Sequence, residues 1–171
     1  KRLIVTYHPE TLDDKKSIKN LSTVLDALKK IKNTTIIITS PNADAQGVVM
    51  IRHIIQYIKK YKLKNFFFVS SLGSSVYLSL LRVADGVIGN SSSGISEVPF
   101  FNIGTVNIGD RQQGRFMAPS IVNCPISKVS IVRSIHKILN DNFKKKIRKN
   151  NKMNKNNKVA KKIAKKLLFF N

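Results

Sequence analysis

Short apolar runs alternate with longer amphipathic stretches along most of the chain. The apolar runs are rich in β-branched and aromatic residues and predict five strands, at Leu3–Thr6, Thr35–Thr39, Phe66–Val69, Gly86–Gly89 and Gly104–Ile108. Apolar residues that recur every three or four positions predict helices at Ser17–Ile31, Ala45–Tyr61, Ser74–Ala84, Ser127–Asn140 and Lys158–Phe169, with a short helix from Ser93. Ser17 is the predicted N-cap of the first helix.

This alternation predicts an α/β fold with a doubly wound parallel sheet, as in Rossmann-like domains. Strands that are apolar throughout are expected to be buried on both faces of the sheet. Right-handed crossovers between parallel strands then place helices on both faces. Ligands of such sheets bind beyond the carboxyl ends of the strands. The residues that directly follow each strand are therefore the first candidates for a site.

All five predicted strands are followed by polar or small residues. The segments are 7–11, 40–44, 70–73, 89–97 and 109–115. A single loop of this kind would mean little. Because a parallel sheet brings the carboxyl ends of its strands to one edge, the five segments together predict a single site.

The segment Gly89–Glu97 has the clearest chemistry. Its glycines allow the backbone to approach a ligand closely, and Ser91, Ser92 and Ser93 offer hydroxyl donors to phosphate oxygens. A helix that begins here adds N–H groups and a partial positive charge. The Glu97 carboxylate repels phosphate but accepts hydrogen bonds from ribose hydroxyls, which favours a nucleotide over inorganic phosphate. A capped serine-rich turn, with Glu97 as an acid in the first helical turn, is the simpler alternative.

Two other loops carry groups that suit a diphosphate. Arg111 and Arg115 follow the fifth strand, and arginine is permanently charged and able to form two parallel hydrogen bonds. His8 follows the first strand and is able to donate to phosphate or to transfer a proton near neutral pH. The alternatives are two surface arginines and a structural histidine. Asn42 fits a turn as well as it fits a ligand contact.

The net charge of +22 changes the picture mainly at the C-terminus. The last 28 residues hold 12 Lys/Arg and no acidic residue, so we predict a domain of residues 1–143 and a basic Lys/Asn-rich tail, residues 144–171, that ends in a helix. Such a tail attracts nucleic acid or anionic membranes nonspecifically, and a solvated helix is the simpler interpretation. The aromatic residues lie in apolar runs rather than among the basic ones, which argues against specific nucleic-acid stacking.

Several classes of protein are disfavoured by what the sequence lacks. No apolar run reaches the roughly 20 residues that span a bilayer, and no signal peptide is evident. A single cysteine, Cys124, excludes an internal disulfide framework and fits a reducing, cytoplasmic location. His53 and His136 lie in helix patterns without further ligands nearby, so neither a metal nor another cofactor is expected. The motifs of common serine hydrolases, P-loop NTPases and zinc proteases are absent.

Four segments together resemble the UDP-N-acetylglucosamine 2-epimerase family, and within it the hydrolysing branch that feeds sialic and legionaminic acid synthesis. They are 8–11 (His-Pro-Glu-Thr), 40–45 (Ser-Pro-Asn-Ala-Asp-Ala), 89–97 and 106–115 (Val-Asn-Ile-Gly-Asp-Arg-Gln-Gln-Gly-Arg), in this order. The resemblance extends to about residue 140. It implies the C-terminal domain of a two-domain, glycosyltransferase-B-like fold whose active site lies between the domains. Gln46 departs from the family, which usually has a small residue there.

The resemblance also implies roles for individual residues. Those expected to contact UDP are Asn42, Ser91, Ser92, Glu97 and Arg111, with Glu97 on the ribose and Asn42 on the uracil or ribose side. His8 is expected beside the diphosphate and the reacting sugar, as the catalytic residue of this chain. Further support for the diphosphate is expected from Ser93, Gly94 and Arg115.

The family reaction begins with anti elimination of UDP, which leaves a 2-acetamidoglucal. Water then adds to give N-acetylmannosamine, or UDP is added back in the non-hydrolysing branch. The acidic residues that handle the C2 proton belong to the family's N-terminal domain, so this chain is expected to bind UDP or a UDP-sugar without turnover. The chain opens directly in a strand and has no initiator Met, as a fragment would. A non-catalytic UDP-sugar module, half of a related glycosyltransferase and a nucleic-acid-binding protein are the alternatives, and homo-oligomerisation stays open.

Overall fold

The computed structural model describes residues 1–10, 14–42, 44–150 and 159–168; Thr11 and Ala43 of the predicted loops lie outside these ranges. The elements in the described residues follow the predicted alternation. In chain order they are β1 (Arg2–Thr6), α1 (Asp14–Leu28), β2 (Thr35–Thr39), α2 (Ala45–Lys60), β3 (Phe66–Val69), α3 (Gly73–Val83), β4 (Gly86–Gly89), α4 (Ser93–Ser96), a 3-10 helix (Val98–Phe101), β5 (Gly104–Ile108), β6 (Ile121–Cys124), α5 (Lys128–Leu139), α6 (Asp141–Asn150) and α7 (Val159–Leu167).

The six strands form one parallel sheet in the order β3-β2-β1-β4-β5-β6. This order confirms the predicted Rossmann-like fold. The chain adds strands outward from β1 to β3, then returns to place β4 on the other side of β1. The carboxyl ends of β1 and β4 are neighbours, with Thr6 opposite Gly89. Because the connections from these two strands diverge, a crevice opens between them, where such sheets bind ligands.

Two apolar clusters hold helices against opposite faces of the sheet. The larger one joins α1, α2 and α5 to the sheet and includes the fully buried side chains of Leu25, Met50 and Ile135. The smaller one joins α3 and the 3-10 helix to Ile4 and Val87 on the other face. Burial of these side chains is the main favourable term in folding, so the clusters hold the strand ends in fixed register.

The prediction of fully buried strands holds for the centre of the sheet but not for its β3 side. Every residue of β4 and β5 is buried. In β2 and β3 burial is partial, and the Phe67 side chain is 51% exposed. Phe67 lies on an edge strand where only part of the sheet face is covered.

Two local predictions were wrong. Ser17 is a buried residue inside α1, which begins at Asp14, and so it is not the N-cap. The edge strand β6 was missed, because its four residues include the polar Asn123 and present no strong periodicity. β6 pairs along β5 from Ile121 to Cys124 and so completes the sheet.

The basic C-terminal segment begins as part of the folded domain. Helix α6 runs through residue 143, where the tail was predicted to start, and its Ile147 side chain is only 3% exposed. Phe143 packs against the larger cluster, and Lys144 Nζ lies 3.2 Å from Asp85 Oδ1. The predicted terminal helix is present as α7, whose described side chains are exposed. None of the described helices has the length and apolar character needed to cross a membrane.

Lys144→Ala is expected to lower the free energy of unfolding by about 0.5–1 kcal/mol at pH 7, the scale of a partly screened ion pair. Although burial opposes it, the Arg2 N–H and the Lys144 ammonium hold the pKa of Asp85 below its usual range. A lowered carboxyl pKa stabilises the fold above the unfolded-state pKa and loses that effect as the pH falls through the folded-state pKa. Urea unfolding at pH 7 and pH 3 measures this, with exposed Lys145→Ala as the control. Equal losses at both pH values would contradict the ion-pair explanation.

Candidate functional site

The carboxyl edge of the sheet holds a cavity of about 370 Å³. It extends from the ends of β1 and β2 to the loop before α3 and the loop after β4. Six of its thirteen lining residues are serines, and the set is Thr6, His8, Thr39, Ser40, Ser70, Ser71, Leu72, Gly73, Ser74, Tyr77, Ser91, Ser93 and Glu97. Four of the five strand-end segments therefore meet at one cavity, whereas none of residues 109–115 lines it, so the expectation of a single site from all five holds only in part.

Gly89 is required by the close approach of two strand ends. Its φ is +140°, and a Cβ built on it would lie 1.8 Å from the carbonyl oxygen of Thr6. The neighbouring residue continues this approach, because the Asn90 N–H donates to the same oxygen at 3.2 Å. Only glycine fits this position without a shift of the backbone, so Gly89 brings the loop after β4 against the loop after β1.

Asn90 is completely buried and binds the loop that follows β1. Its Oδ1 accepts the His8 backbone N–H at 2.7 Å, while its Nδ2 donates to the His8 carbonyl at 2.9 Å. The same Nδ2 donates to Glu10 Oε1 at 3.1 Å. The Asn90 side-chain amide thus pairs with both the backbone N–H and the backbone carbonyl of His8.

The Asn90 carbonyl binds the loop that follows β5. It accepts hydrogen bonds from Gln112 Nε2 at 2.7 Å and from Arg111 Nη1 at 3.1 Å. Gln112 is 1% exposed, whereas Arg111 is largely exposed. One residue therefore connects the loops after β1, β4 and β5, and it orients the guanidinium group from one side.

His8 is a neutral hydrogen-bond donor in this arrangement. Its Nδ1 accepts the Asn42 backbone N–H at 3.1 Å, which assigns the ring proton to Nε2. Burial first, and then the Arg111 guanidinium, lower the pKa of His8 to about 4, against a smaller opposing effect of Asp44. A neutral imidazole with a fixed donor is able to hydrogen-bond an anion near neutral pH.

The serine-rich loop carries hydrogen-bond donors on its backbone and its side chains, and Ser91 and Ser93 line the cavity whereas Ser92 does not. Within the described part of the chain, the backbone N–H groups of Ser92 and Ser93 have no acceptor. The Ser93 hydroxyl hydrogen-bonds Tyr77 Oη, and Ser91 lines the cavity beside it. Helix α4 has only four residues, so its dipole adds less than a full helix would. The loop therefore offers individual N–H and hydroxyl donors rather than the dipole of a long helix.

Glu97 lies at the far end of α4, on the wall of the cavity. It is the C-cap of α4 and the residue before the 3-10 helix, and its side chain is exposed. The interpretation of Glu97 as a stabilising acid in the first turn of α4 therefore does not apply. Glu97 is also the N-cap residue of the 3-10 helix, although its side chain makes no capping hydrogen bond there.

Helix α3 begins at the wall of the cavity. Its first residues, Gly73 and Ser74, line the cavity together with Leu72, and no side chain caps this end. Among the residues that line the cavity, Leu72 is the one with a purely hydrocarbon side chain. This wall therefore combines an apolar surface with N-terminal N–H groups.

The other predicted site residues lie around this cavity rather than inside it. Arg111 lines an adjacent cavity of about 440 Å³ with Glu10, Lys16, Asn20, Asp110 and Ile126. Asn42 contributes its backbone N–H to His8, and its side chain is exposed. The Gly94 N–H donates to the Ser91 carbonyl, and a Cβ at Gly94 would meet Thr105 Cγ2 at 2.9 Å, so Gly94 serves packing here. Arg115 is exposed, with its backbone N–H on the Gln112 carbonyl.

Sequence reasoning overlooked three residues that organise the site: Glu10, Asn90 and Gln112. All three stand in the segments that were singled out, but only as members of a loop. Burial raises the pKa of Glu10 above its usual range, against the opposing hydrogen bond from Asn90. An asparagine directly after the last glycine of an apolar strand was the one available signal, because a polar side chain buried there needs partners.

The family model described as UDP-N-acetylglucosamine 2-epimerase matches residues 1–168 of the chain. A Campylobacter jejuni GDP/UDP-N,N'-diacetylbacillosamine 2-epimerase (hydrolyzing) is 40% identical over 141 residues, which are 82% of this chain and 36% of the relative. The Escherichia coli polysialic acid biosynthesis protein P7 is 38% identical over 134 residues, 78% of this chain and 34% of the relative. The chain thus spans about a third of the length of these relatives.

Solved structures share the fold at low sequence identity. The Neisseria meningitidis UDP-GlcNAc 2-epimerase bound to UDP-GlcNAc has a TM-score of 0.66 at 15% identity, covering 100% of this chain and 44% of that protein. The S. aureus MnaA–UDP complex has a TM-score of 0.63 at 12% identity, covering 84% of this chain and 38% of that protein. The C-terminal domain of a Francisella tularensis glycosyl transferase matches over 80% of its own length, at 16% identity and a TM-score of 0.58. These likenesses support the glycosyltransferase-B-like assignment.

Proposed function

The chain belongs to the UDP-N-acetylglucosamine 2-epimerase family, and we propose that it is the nucleotide-binding half of a hydrolysing 2-epimerase of UDP-sugars. The observation that carries the proposal is the cavity at the crevice between β1 and β4, where His8, the serine loop and Glu97 meet. Two relatives whose names include hydrolyzing support this branch: the Campylobacter jejuni protein and a Legionella pneumophila UDP-N,N'-diacetylbacillosamine 2-epimerase, 31% identical over 139 residues. Water is then the second substrate, and the products are the free 2-epimeric sugar and UDP.

The lining of the cavity suggests how UDP lies in it. The N–H and hydroxyl donors of Ser91, Ser92 and Ser93 suit the diphosphate, together with the Nε2 proton of His8. We expect the Glu97 carboxylate, which lines the cavity, to accept hydrogen bonds from both ribose hydroxyls. The base then extends toward Leu72, whose side chain provides an apolar contact at the start of α3.

Elimination of UDP from the sugar requires stabilisation of the leaving diphosphate. Charge develops on the bridging oxygen as the C1–O bond breaks, and donors fixed in advance lower the barrier more than mobile water does. In this chain such donors are His8 Nε2 and the serine loop, with the Arg111 guanidinium on the other side of the Asn90 carbonyl. We propose that the base for the C2 proton comes from an N-terminal domain, so that this chain alone binds UDP without turnover.

The side chains around the base position do not dictate one base. Thr39, Ser40, Ser70 and Ser71 carry hydroxyls, and a hydroxyl donates or accepts as its partner requires. The name of the Campylobacter jejuni relative includes both GDP and UDP. The binding experiment therefore compares the two nucleotides.

Isothermal titration calorimetry of this chain with UDP, GDP and inorganic pyrophosphate tests the proposal. We expect UDP to bind and pyrophosphate to bind more weakly, because only UDP offers a ribose to Glu97. Glu97→Gln should weaken the binding of UDP, which loses its ribose contact, while pyrophosphate should bind at least as tightly because the repelling carboxylate is gone. Absence of any binding at millimolar UDP would refute the nucleotide site.

Arg111→Ala is expected to make the binding free energy of UDP less favourable by about 1–3 kcal/mol, the range of a lost charge-assisted hydrogen bond. Arg111 is held by the Asn90 carbonyl, so its charge is oriented before the ligand arrives. Calorimetry measures the change, and exposed Arg133→Ala on α5 is the matched control for the loss of one positive charge. If both variants bind UDP like the unchanged chain, Arg111 is only a surface charge.

A further inference from the structure

We propose that Asn90 is the positioning residue of this site: its side-chain amide fixes the His8 donor and its carbonyl fixes Arg111, although Asn90 itself is completely buried and does not line the cavity. This inference rests on the proposed binding of UDP for its affinity readout. Its structural readout on His8 does not depend on that function.

The side-chain half of the network determines where His8 lies. Two hydrogen bonds of 2.7 and 2.9 Å join the Asn90 amide to the His8 main chain and fix the position of the His8 backbone. The imidazole is thereby held where Nδ1 meets the Asn42 N–H at 3.1 Å. The Nε2 proton at the cavity therefore depends indirectly on Asn90.

The main-chain half of the network determines where Arg111 lies. The Asn90 carbonyl accepts from Arg111 Nη1 and from Gln112 Nε2, so the loop after β5 is attached at two points. His8 and Arg111 are thus both held by one residue at the crevice of the sheet. Both side chains have the chemistry to stabilise a leaving diphosphate.

Asparagine suits this role better than other polar residues. Its amide supplies one acceptor for the His8 N–H and donors for both the His8 carbonyl and Glu10. Aspartate lacks the donors, and serine is too short to span both groups. The groups that face His8 are Arg111 after β5, Asp44 after β2 and the Asn42 N–H, so a shift of the ring changes its surroundings on several sides.

The test compares Asn90→Ala with the unchanged chain by nitrogen NMR of the His8 ring and by calorimetry with UDP. The unchanged chain is expected to hold a single tautomer with the proton on Nε2. Asn90→Ala should show a mixture of tautomers and an affinity for UDP reduced about 10- to 100-fold, the loss typical of groups left unpaired in a buried network. Asn65→Ala is the control. It removes a hydrogen bond of 2.8 Å from the Asn65 side-chain amide to the Thr34 carbonyl, at the opposite edge of the sheet.

Each outcome decides the inference. An Asn90→Ala protein that keeps the single tautomer, or that binds UDP as tightly as the Asn65→Ala control, would overturn it. If Asn90→Ala does not fold, Asn90→Asp replaces it, read by NMR alone because its new charge repels phosphate; an unchanged tautomer there overturns the inference too. If the unchanged chain fails to bind UDP, the proposed function falls, and the His8 tautomer in Asn90→Ala still decides the role of Asn90.

Discussion

Gly89→Ala is expected to destabilise the domain by about 4 kcal/mol, as backbone strain and overpacking each add about 2 kcal/mol. At φ +140° an L-residue is strained, and its Cβ would lie 1.8 Å from the Thr6 carbonyl oxygen. That oxygen belongs to the backbone of β1 in the centre of the sheet, so it cannot move aside like a flexible side chain. Urea unfolding followed by circular dichroism measures the loss.

Gly73→Ala is the matched control for Gly89→Ala. Gly73 also has a positive φ, of +63°, but a Cβ there would meet no atom within 4 Å. It should therefore cost only about 1 kcal/mol, the penalty for the left-handed region alone. If Gly89→Ala is no more destabilising than Gly73→Ala, the ends of β1 and β4 move apart at little cost in free energy. That result would contradict the rigid contact between Gly89 and the Thr6 carbonyl.

Stability is expected to fall by about 2–3 kcal/mol between pH 6.5 and pH 4 because of His8 alone, with allowance for screening by solvent. Burial, and then Arg111, lower the pKa of His8 to about 4, from 6.5 for an ordinary histidine. Between these values the unfolded chain binds a proton that the folded chain excludes. The sign is therefore a stability that is complete above pH 6.5 and is lost as the pH falls toward 4.

His8→Asn isolates this contribution from the general charge repulsion of a very basic chain. The asparagine Oδ1 replaces Nδ1 as acceptor of the Asn42 N–H but does not titrate near neutral pH. Unfolding free energies at several pH values should show a flatter curve for His8→Asn than for the unchanged chain. The exposed His136→Asn serves as control. Parallel curves for His8→Asn and the unchanged chain would mean that His8 is not buried as a neutral base.

The sequence located the site more completely than it described its internal contacts. The segments after β1, β2, β3 and β4 line one cavity, and His8, Ser91, Ser93 and Glu97 were named within them. The roles of these four residues toward UDP stay predictions, as do those of Asn42, Ser92, Gly94, Arg111 and Arg115. Motif reasoning favours residues with obvious ligand chemistry and passes over residues such as Asn90 that act by holding others in place.

Local order was determined by the sequence itself. The strands β2 to β5 begin and end where their apolar runs do. A buried strand needs consecutive apolar residues, so its bounds are visible in the sequence. The polar residues after those strands were equally visible. Weak local signals failed, as for β6, and composition alone did not reveal that α6 packs on the domain through Phe143 and Ile147.

Only the tertiary structure decided which polar groups meet. Asn90 reaches His8 across 82 positions of sequence, and it does so because β4 is inserted beside β1 in the sheet. The same strand order brings Gln112 and Arg111 to the Asn90 carbonyl and lowers the pKa of His8. Burial and hydrogen-bond partners belong to neighbours in space, so no local pattern encodes them. The sequence predicted an anion site at the loop Gly89–Glu97. The hydrogen bonds that join this loop to His8 and Arg111 through Asn90 follow only from the topology of the sheet.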